Sequence, residues 1–179
     1  MMKILFISGS LRNGSCNRQL LEYASSELSD SFECSFLDYK DIPLLNQDDE
    51  YPAPEAVERV RKEIVSADVL WIGSPEYNHS YSAALKNLLD WLSRPVIPDD
   101  YSSAVIRGKL VAISSVAGAS GGSFSLKKLR ELLEMLSCTV IENETSIPLG
   151  ARFGKDILVL DDGEKAQLAK ECNELREKL

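Results

Sequence analysis

The feature that most constrains the fold lies near the start of the chain, where an unbroken apolar run at residues 4–7 leads into a polar loop. A short run of bulky apolar residues is typical of a strand buried on both faces, as in a parallel sheet. The loop, residues 8–17, contains two glycines, three serines and Arg12, and a helical pattern of apolar residues follows it. This strand, loop and helix predict the first unit of an α/β domain.

The loop carries the groups that bind a phosphate. Glycine allows backbone N–H groups to converge on an anion, and a helix N-terminus adds free N–H groups and a favourable dipole. The guanidinium of Arg12 can bind a phosphate through two parallel hydrogen bonds. An ordinary turn between a strand and a helix, capped by Ser15 or Asn17, is the alternative interpretation.

Three better-known phosphate loops do not fit the sequence. Walker A spacing runs from Gly9 to Gly14, but Ser15 and Cys16 stand where lysine and serine or threonine are required. The dinucleotide pattern Gly-x-Gly-x-x-Gly is absent, because position 11 is leucine. Tyrosine-phosphatase chemistry requires a cysteine five residues before the arginine, whereas Cys16 follows Arg12.

Further apolar runs alternate with helical patterns along the chain. Strands are predicted at residues 32–37, 69–72, 110–113 and 139–141, with helices between them and one more at the carboxyl end. Residues 146–163 show no clear pattern, although residues 157–160 suit an extended segment. The alternation predicts one domain, residues 1–179, with a five-stranded parallel sheet of order 2-1-3-4-5 and helices on both faces. This is the flavodoxin-like three-layer sandwich, with the more polar second strand at an edge.

Three of the loops that follow strands are rich in glycine, serine or other polar residues. They are residues 8–17, 73–80 and 114–122. The carboxyl ends of parallel strands meet at one edge of a sheet, so one ligand can touch all three loops. We expect its phosphate on the first loop and its body along the other two.

Charge and cysteine content argue against several functions. The net charge of −8 opposes broad nucleic-acid binding, which needs a basic face. No apolar segment is long enough to span a bilayer and no leader precedes the first strand, so we expect a cytoplasmic protein without a membrane partner. Cys16, Cys34, Cys138 and Cys172 lack the spacing of a metal site, and packing of Cys16 is favoured over a redox role.

Two motifs in this chain occur together in a known family. The loop at residues 9–17 is followed at residues 75–80 by Pro-Glu-Tyr-Asn-His-Ser, and then by Leu-Lys-Asn at residues 85–87 and Asp-Trp at residues 90–91. In order and spacing these motifs resemble the NADPH-dependent FMN reductase family, which includes quinone, azo-dye and chromate reductases. The resemblance runs from Met2 to about Leu136. It implies FMN as cofactor, NADPH or NADH as hydride donor, and a homodimer or homotetramer in contact through the helix near residues 80–93 and the loop after it.

The resemblance also implies which residues hold the cofactor. Ser10, Arg12, Ser15 and Asn17 are expected at the FMN phosphate, with backbone contacts from Leu11 and Cys16. Pro75, Glu76, Tyr77 and Asn78 are expected along the isoalloxazine ring, with Ser115 and Gly118 on its other side. No residue is expected to be catalytic in the strict sense, because the isoalloxazine itself accepts hydride.

These implications predict an FMN-dependent oxidoreductase that passes hydride from NADPH to a small oxidant by a ping-pong mechanism. Quinones, azo compounds, free flavin and metal ions are the candidate oxidants. Two alternatives stay open, namely a flavin-binding electron carrier or redox sensor without turnover, and a flavin-free domain that binds a phosphate ligand. Steady NADPH oxidation with a small quinone distinguishes the enzyme from both.

Several residues near the motifs have two interpretations. Glu76 can act as a general acid, but a positioning or solvated carboxylate is favoured. Tyr77 is favoured as a flavin contact over packing under its loop. His79 is favoured as a helix cap or surface residue over a substrate donor. Trp71 and Trp91 are favoured as core or interface residues over ligand contacts.

Overall fold

A parallel sheet lies between two layers of helices in the computed structural model, which describes all of residues 1–179. In chain order the elements are β1 (Lys3–Ser8), α1 (Cys16–Leu28), β2 (Glu33–Phe36), α2 (Glu55–Ser66), β3 (Val69–Gly73), α3 (Ala83–Ser93), β4 (Leu110–Ala117), α4 (Ser123–Met135), β5 (Thr139–Val140), β6 (Thr145–Pro148) and α5 (Asp162–Lys178). None of these helices combines the length and the apolar character that crossing a bilayer requires.

The order of the sheet is β2-β1-β3-β4-β5, and every pair of neighbours is parallel. The predicted order and the edge position of the second strand are therefore confirmed. A sixth strand, β6, also pairs with β4, farther along it than β5 does. The sequence does not indicate β6, because Thr-Ser-Ile-Pro is short, half polar and ended by a proline.

The core consists of two clusters, one on each face of the sheet. Ile4 and Phe6 of β1 pack with side chains of α1 and α5, whereas Leu5 and Ile7 pack with those of α2, α3 and α4. Burial of each such side chain stabilises the fold by about 1.5–3 kcal/mol. This alternation confirms the three layers and explains why the run at residues 4–7 contains no polar residue.

Both tryptophans lie in the interior, as predicted. Trp71 on β3 is fully buried, and its indole N–H donates to the hydroxyl of Ser114 at 3.1 Å. Trp91 on α3 is 1% exposed and donates to the carbonyl of Pro43. Each indole therefore buries a large apolar surface and still has a hydrogen-bond acceptor.

Residues 157–160 alternate between exposed and buried side chains but pair with no strand. Leu158 and Leu160 are buried in the cluster beneath α1 and α5. The backbone of Leu158 bonds to two side chains of α1, because its N–H donates to Gln19 and its carbonyl accepts from Tyr23. These contacts hold the preceding residues beside the start of α1.

Candidate active site

The three polar loops leave the sheet side by side, as the sequence predicts. Ser8 at the end of β1 pairs with Gly73 of β3, and Gly73 pairs with Ser114 of β4. The N–H of Gly9 donates to the carbonyl of Gly73 at 2.8 Å. A Cβ atom at Gly9 would lie 2.9 Å from Cδ of Pro75, so the first two loops approach more closely than a side chain permits.

A cleft of about 430 Å³ lies among these loops, within the range typical of small-molecule sites. Its lining includes the predicted residues Ser10, Arg12, Ser15, Cys16, Asn17, Pro75, Glu76, Tyr77 and Gly118. It also includes Val116, Ala117, Leu149, Phe153, Gly154, Lys155 and Asp156. Leu11, Asn78 and Ser115 do not line the cleft.

The first loop is rich in hydrogen-bond donors without a partner. The backbone N–H groups of residues 10–17 donate no hydrogen bond within the chain. The loop ends at Ser15, whose hydroxyl caps α1 by accepting from the N–H of Arg18 at 3.2 Å. Since the positive end of the α1 dipole also points to this loop, its donors fit an anion such as a phosphate.

The cation of the loop is paired with a carboxylate from far along the chain. Arg12 Nη1 lies 2.6 Å from Oδ1 of Asp156, and the two side chains are 49% and 71% exposed. The hydrogen bond to Asp156 raises the pKa of the Arg12 guanidinium above its ordinary value. The guanidinium is therefore charged, and its exposed pairing is weak enough for another anion to replace.

Residues 149–156 form one wall of the cleft, which we call the covering segment. The sequence does not indicate this role, because residues 146–163 show no clear apolar pattern. The thiol of Cys16 donates to the carbonyl of Lys155 at 3.6 Å, and Gln19 donates to the carbonyl of Asp156 at 2.8 Å. Cys16 is consequently 4% exposed, in line with its predicted packing role.

Asn17 connects the first loop to β4. Its Oδ1 accepts from the N–H of Val116 and its Nδ2 donates to the carbonyl of Val116, both at 2.9 Å. The side chain is 4% exposed. Both polar atoms of the amide are thus engaged within the chain, while the backbone N–H of Asn17 is free, and its expected place at the phosphate stays a prediction.

Ser115 supports the site from beneath and does not face it. Its side chain is fully buried, and its hydroxyl donates to the carbonyl of Ser74 at 2.6 Å. The glycine-rich loop crosses so closely above it that a Cβ at Gly122 would overlap the Ser115 hydroxyl. The hydroxyl of Ser115 thus contacts the loop that carries Pro75, and the expected contact of Ser115 with the isoalloxazine ring stays a prediction.

A tight turn ends the second loop. Tyr77 and Ser80 exchange two backbone hydrogen bonds, and Asn78 and His79 between them have φ angles of 52° and 57°. Positive φ at both central residues is typical of a type I′ turn. Tyr77 is 53% exposed, so it does not pack under its own loop.

His79 lies on the surface, in agreement with one of its two predicted places. Its ring stacks on Phe124 with centroids 4.2 Å apart. It does not cap the next helix, because the hydroxyl of Ser82 accepts from the N–H of Leu85 and fills that role. The same hydroxyl donates to the carbonyl of Gly9 at 2.6 Å, which adds a further link between the first two loops.

Comparison with known proteins identifies the family. A model of the NADPH-dependent FMN reductase family matches residues 2–151. The chain belongs to this family. An NAD(P)H:quinone oxidoreductase of Solanum tuberosum is 36% identical over 177 residues, which cover 93% of this chain and 87% of the potato protein. An NAD(P)H-dependent FMN reductase of Pseudomonas aeruginosa is 41% identical over 141 residues, 75% of this chain and 71% of that protein.

One curated relative is matched over a smaller share of its length. A probable NADPH:quinone oxidoreductase of Oryza sativa is 40% identical over 136 residues, which cover 73% of this chain but 64% of the rice protein. Among solved structures, the flavoenzyme NAD(P)H:(acceptor) oxidoreductase of Paracoccus denitrificans has a TM-score of 0.80 and 25% identity, with 99% and 98% of the two chains covered. As an FMN reductase of this family, the chain is an oxidoreductase that uses FMN and NAD(P)H.

The residues of this FMN reductase fit the cofactor of its family. The unpaired N–H groups of residues 10–17, with Arg12 beside them, suit the phosphate. Pro75, Val116 and Leu149 give the cleft an apolar lining for a flat ring. The backbone N–H groups of Glu76, Asn78 and Gly118 also donate no hydrogen bond within the chain, and they suit the polar edge of an isoalloxazine.

Proposed function

We propose that this chain binds FMN in the cleft and reduces quinones and similar small oxidants with NAD(P)H. The FMN phosphate lies at residues 10–17, and the ring lies between residues 75–78 and residues 117–118. The observation that carries the proposal is the run of unpaired N–H groups beside Arg12, next to a cleft of suitable size. The family relation and the names of the relatives support quinones as the oxidants.

Bound FMN supplies the redox chemistry, since its ring accepts a hydride and passes electrons on. The backbone N–H groups and Arg12 bind the phosphate and so fix one end of the cofactor. The loops at residues 75–78 and 117–118 orient the ring and keep water from one of its faces. Tyr77 and Phe153, which are 53% and 73% exposed, offer aromatic surfaces at the mouth for a flat acceptor.

We infer a ping-pong mechanism, because NAD(P)H and the oxidant both need access to the same ring in one cleft. The nicotinamide therefore leaves before the oxidant enters. Parallel lines in double-reciprocal plots of rate against NADPH at several quinone concentrations are the expected result, whereas intersecting lines would contradict it.

The decisive experiment is the visible absorption spectrum of the purified protein after FMN is added in slight excess and then removed by desalting. Retained flavin that bleaches with anaerobic NADPH and recovers with a small quinone is expected. Retained flavin that bleaches with neither NADPH nor NADH would favour an electron carrier or sensor. A protein that retains no flavin would contradict the proposal and leave a flavin-free phosphate-binding domain.

We also propose a homodimer formed through α3 and the loops beside it. Large apolar side chains are exposed here, namely Leu44, Tyr51, Val96, Ile97 and Tyr101. Asn87 of α3 bonds to the backbone of Pro43 and Leu45, so the first of these loops lies directly on the helix. Exposed apolar surface of this kind is typical of protein contacts. Sedimentation velocity should give a dimer, and Ile97→Asp should give a monomer.

Two further parts of the proposal concern the whole chain. Residues 1–179 form a single domain, because both core clusters share one sheet. The four cysteines are all unpaired, which supports a reducing, cytoplasmic location.

A further inference from the structure

Helix α4 begins at the glycine-rich loop and has no cap of its own. Its N-cap residue is Gly122, which has a φ of 92° and no side chain to accept the first N–H groups. No other residue fits at this position, because a Cβ would overlap the hydroxyl of Ser115. The N–H of Ser123 donates to the carbonyl of Ser120 at 3.2 Å, whereas the N–H groups of Phe124 and Ser125 receive no acceptor from the cap residue.

The carboxylate of Glu76 satisfies them. Its Oε2 accepts from the N–H of Phe124 at 3.0 Å and from the N–H of Ser125 at 3.1 Å. Its Oε1 accepts from the hydroxyl of Ser120 at 2.6 Å. A negative charge at a helix N-terminus is favoured by the dipole, and hydrogen bonds to a charged acceptor are the strong ones.

This contact joins the two loops that face each other across the cleft. Glu76 belongs to the loop at residues 75–80, and its carboxylate oxygens accept hydrogen bonds from the loop at residues 118–122 and from the helix that follows. The other links between the two loops are neutral. Ser125 donates to the carbonyl of Pro75 and bonds to Ser74, Ser115 donates to the carbonyl of Ser74, and the N–H of Ser74 donates to the carbonyl of Ser114. Glu76 is the one charged group that spans this distance.

We propose that Glu76 is a positioning residue that caps α4 from a distance and thereby fixes the spacing of the two ring loops. The inference rests on the proposed function, since the spacing matters for a flat ring held between these loops. The hydrogen bonds of both carboxylate oxygens, one set at α4 and one at Ser120, favour the positioning interpretation of Glu76 over a general acid.

Binding of two flavins distinguishes this role from a contact at the phosphate. Glu76→Ala removes the whole cap and should raise the dissociation constants of FMN and riboflavin by the same factor, roughly tenfold. Glu76→Gln keeps an oxygen that accepts from the two N–H groups and should raise both constants about threefold. Glu134→Ala, which removes an exposed carboxylate from the same helix, is the matched control and should change neither.

A spectroscopic and a kinetic readout separate positioning from stability alone. The absorption bands of flavin bound to Glu76→Ala should be shifted and broadened, and kcat at saturating FMN should fall while the KM of NADPH changes little. Glu76→Gln should restore most of both. If Glu76→Ala lowers only the melting temperature, with bound-flavin spectrum and saturated kcat unchanged, the inference is wrong. A loss of FMN affinity without a loss of riboflavin affinity would also overturn it.

Amide hydrogen exchange on the flavin-free protein separates this inference from the proposed function. Glu76→Ala should speed exchange at Phe124 and Ser125 by about tenfold or more, because both N–H groups lose their acceptor. Unchanged exchange at these amides would overturn the cap whatever the flavin experiments give. If the wild type retains no flavin and Glu76→Ala still speeds exchange at these two amides, the proposed function is contradicted and the cap is established.

Discussion

The two ends of the cleft differ in whether their polar groups already have hydrogen-bond partners. At the phosphate end, backbone N–H groups from Ser10 to Asn17 have no partner, and the cation Arg12 is half exposed beside Asp156. At the ring end, the side chains of Ser74, Ser115 and Glu76 are all hydrogen-bonded to neighbouring loops. One end offers donors to a ligand, and the other uses its polar side chains to hold its own shape.

The difference shows how affinity and geometry are divided. The phosphate end gains hydrogen bonds when an anion arrives, so it supplies binding free energy. The polar side chains of the ring end already have their hydrogen bonds and supply a slot of fixed width, in which the free backbone N–H groups of Glu76 and Gly118 are the donors left for the ring. Substitutions at the first end should therefore affect ligands that carry a phosphate, and those at the second should affect every flavin alike.

The largest effect is expected from Arg12→Ala. Loss of a bidentate cation should raise the dissociation constant of FMN about 100-fold, because hydrogen bonds to charged groups contribute about 1.5–3 kcal/mol each. Riboflavin, which lacks the phosphate, should bind as it does to the wild type. Flavin fluorescence titration measures both constants. Arg18→Ala, an equal charge change at a residue paired with Glu22 outside the cleft, is the control. An equal rise in the dissociation constants of FMN and riboflavin would contradict the division of roles between the phosphate end and the ring end.

Asn17→Ala should destabilise the fold by about 2 kcal/mol, because its two buried hydrogen bonds to Val116 are lost and the N–H of Val116 is left without an acceptor. Urea denaturation of the flavin-free protein measures this free energy of unfolding. Asn173→Ala, at an exposed residue bonded to Arg176, should change it by less than about 0.5 kcal/mol. An Asn17 variant with wild-type stability but weakened FMN binding would instead assign this side chain to the phosphate.

Glu171 offers a contrast with the buried polar side chains of the ring end, because it is buried without comparable hydrogen bonds. It is fully buried on α5, and its carboxylate oxygens lie near the hydroxyl and N–H of Thr145 without making a hydrogen bond of good geometry. Burial raises the pKa of this carboxyl well above its ordinary value, against a smaller opposite effect of Thr145 and with a further rise from Glu144 and Glu174.

Proton linkage gives the direction in which Glu171 changes the free energy of unfolding with pH. The folded protein keeps the Glu171 proton to higher pH than the unfolded chain, so this contribution to stability is complete below about pH 4.5 and declines as pH rises towards the folded pKa. Glu171→Gln should match the wild type in free energy of unfolding near pH 4 and exceed it at pH 8. Urea denaturation at the two pH values measures the gain, with exposed Glu177→Gln as control. A gain that does not depend on pH would assign the effect to packing.

The smallest effect is expected from Asp156→Ala. Without this carboxylate Arg12 is free for a phosphate, and FMN should bind about threefold more tightly, since an exposed ion pair contributes about 0–1 kcal/mol. The gain should shrink as salt is added. Titration at low and high ionic strength measures it, and Asp162→Ala, outside the cleft, should give no gain. Weaker binding in Asp156→Ala would show that the carboxylate helps to hold the phosphate loop.

The phosphate end is the part of the candidate site whose arrangement depends mainly on local sequence. Its donors are backbone groups and one arginine, and their arrangement depends on a strand, a short loop and a helix that follow one another. Apolar runs likewise predict the strands and their order. Ser115 could not be placed by such patterns, since its partner Ser74 is 41 residues away and either orientation suits a serine. The covering segment and β6 were missed because their positions depend on contacts with α1 and β4 that leave no period in the chain.

The type I′ turn at residues 77–80 has a consequence for rates. Its two backbone hydrogen bonds and the cap made by Glu76 lie entirely within the chain, so we expect the ring loop to need little ordering during association. Entry of flavin should then be limited by diffusion and by departure of Asp156 from Arg12. Differences in affinity among variants of the ring loop should accordingly reside in how long the flavin stays, with little change in how fast it arrives.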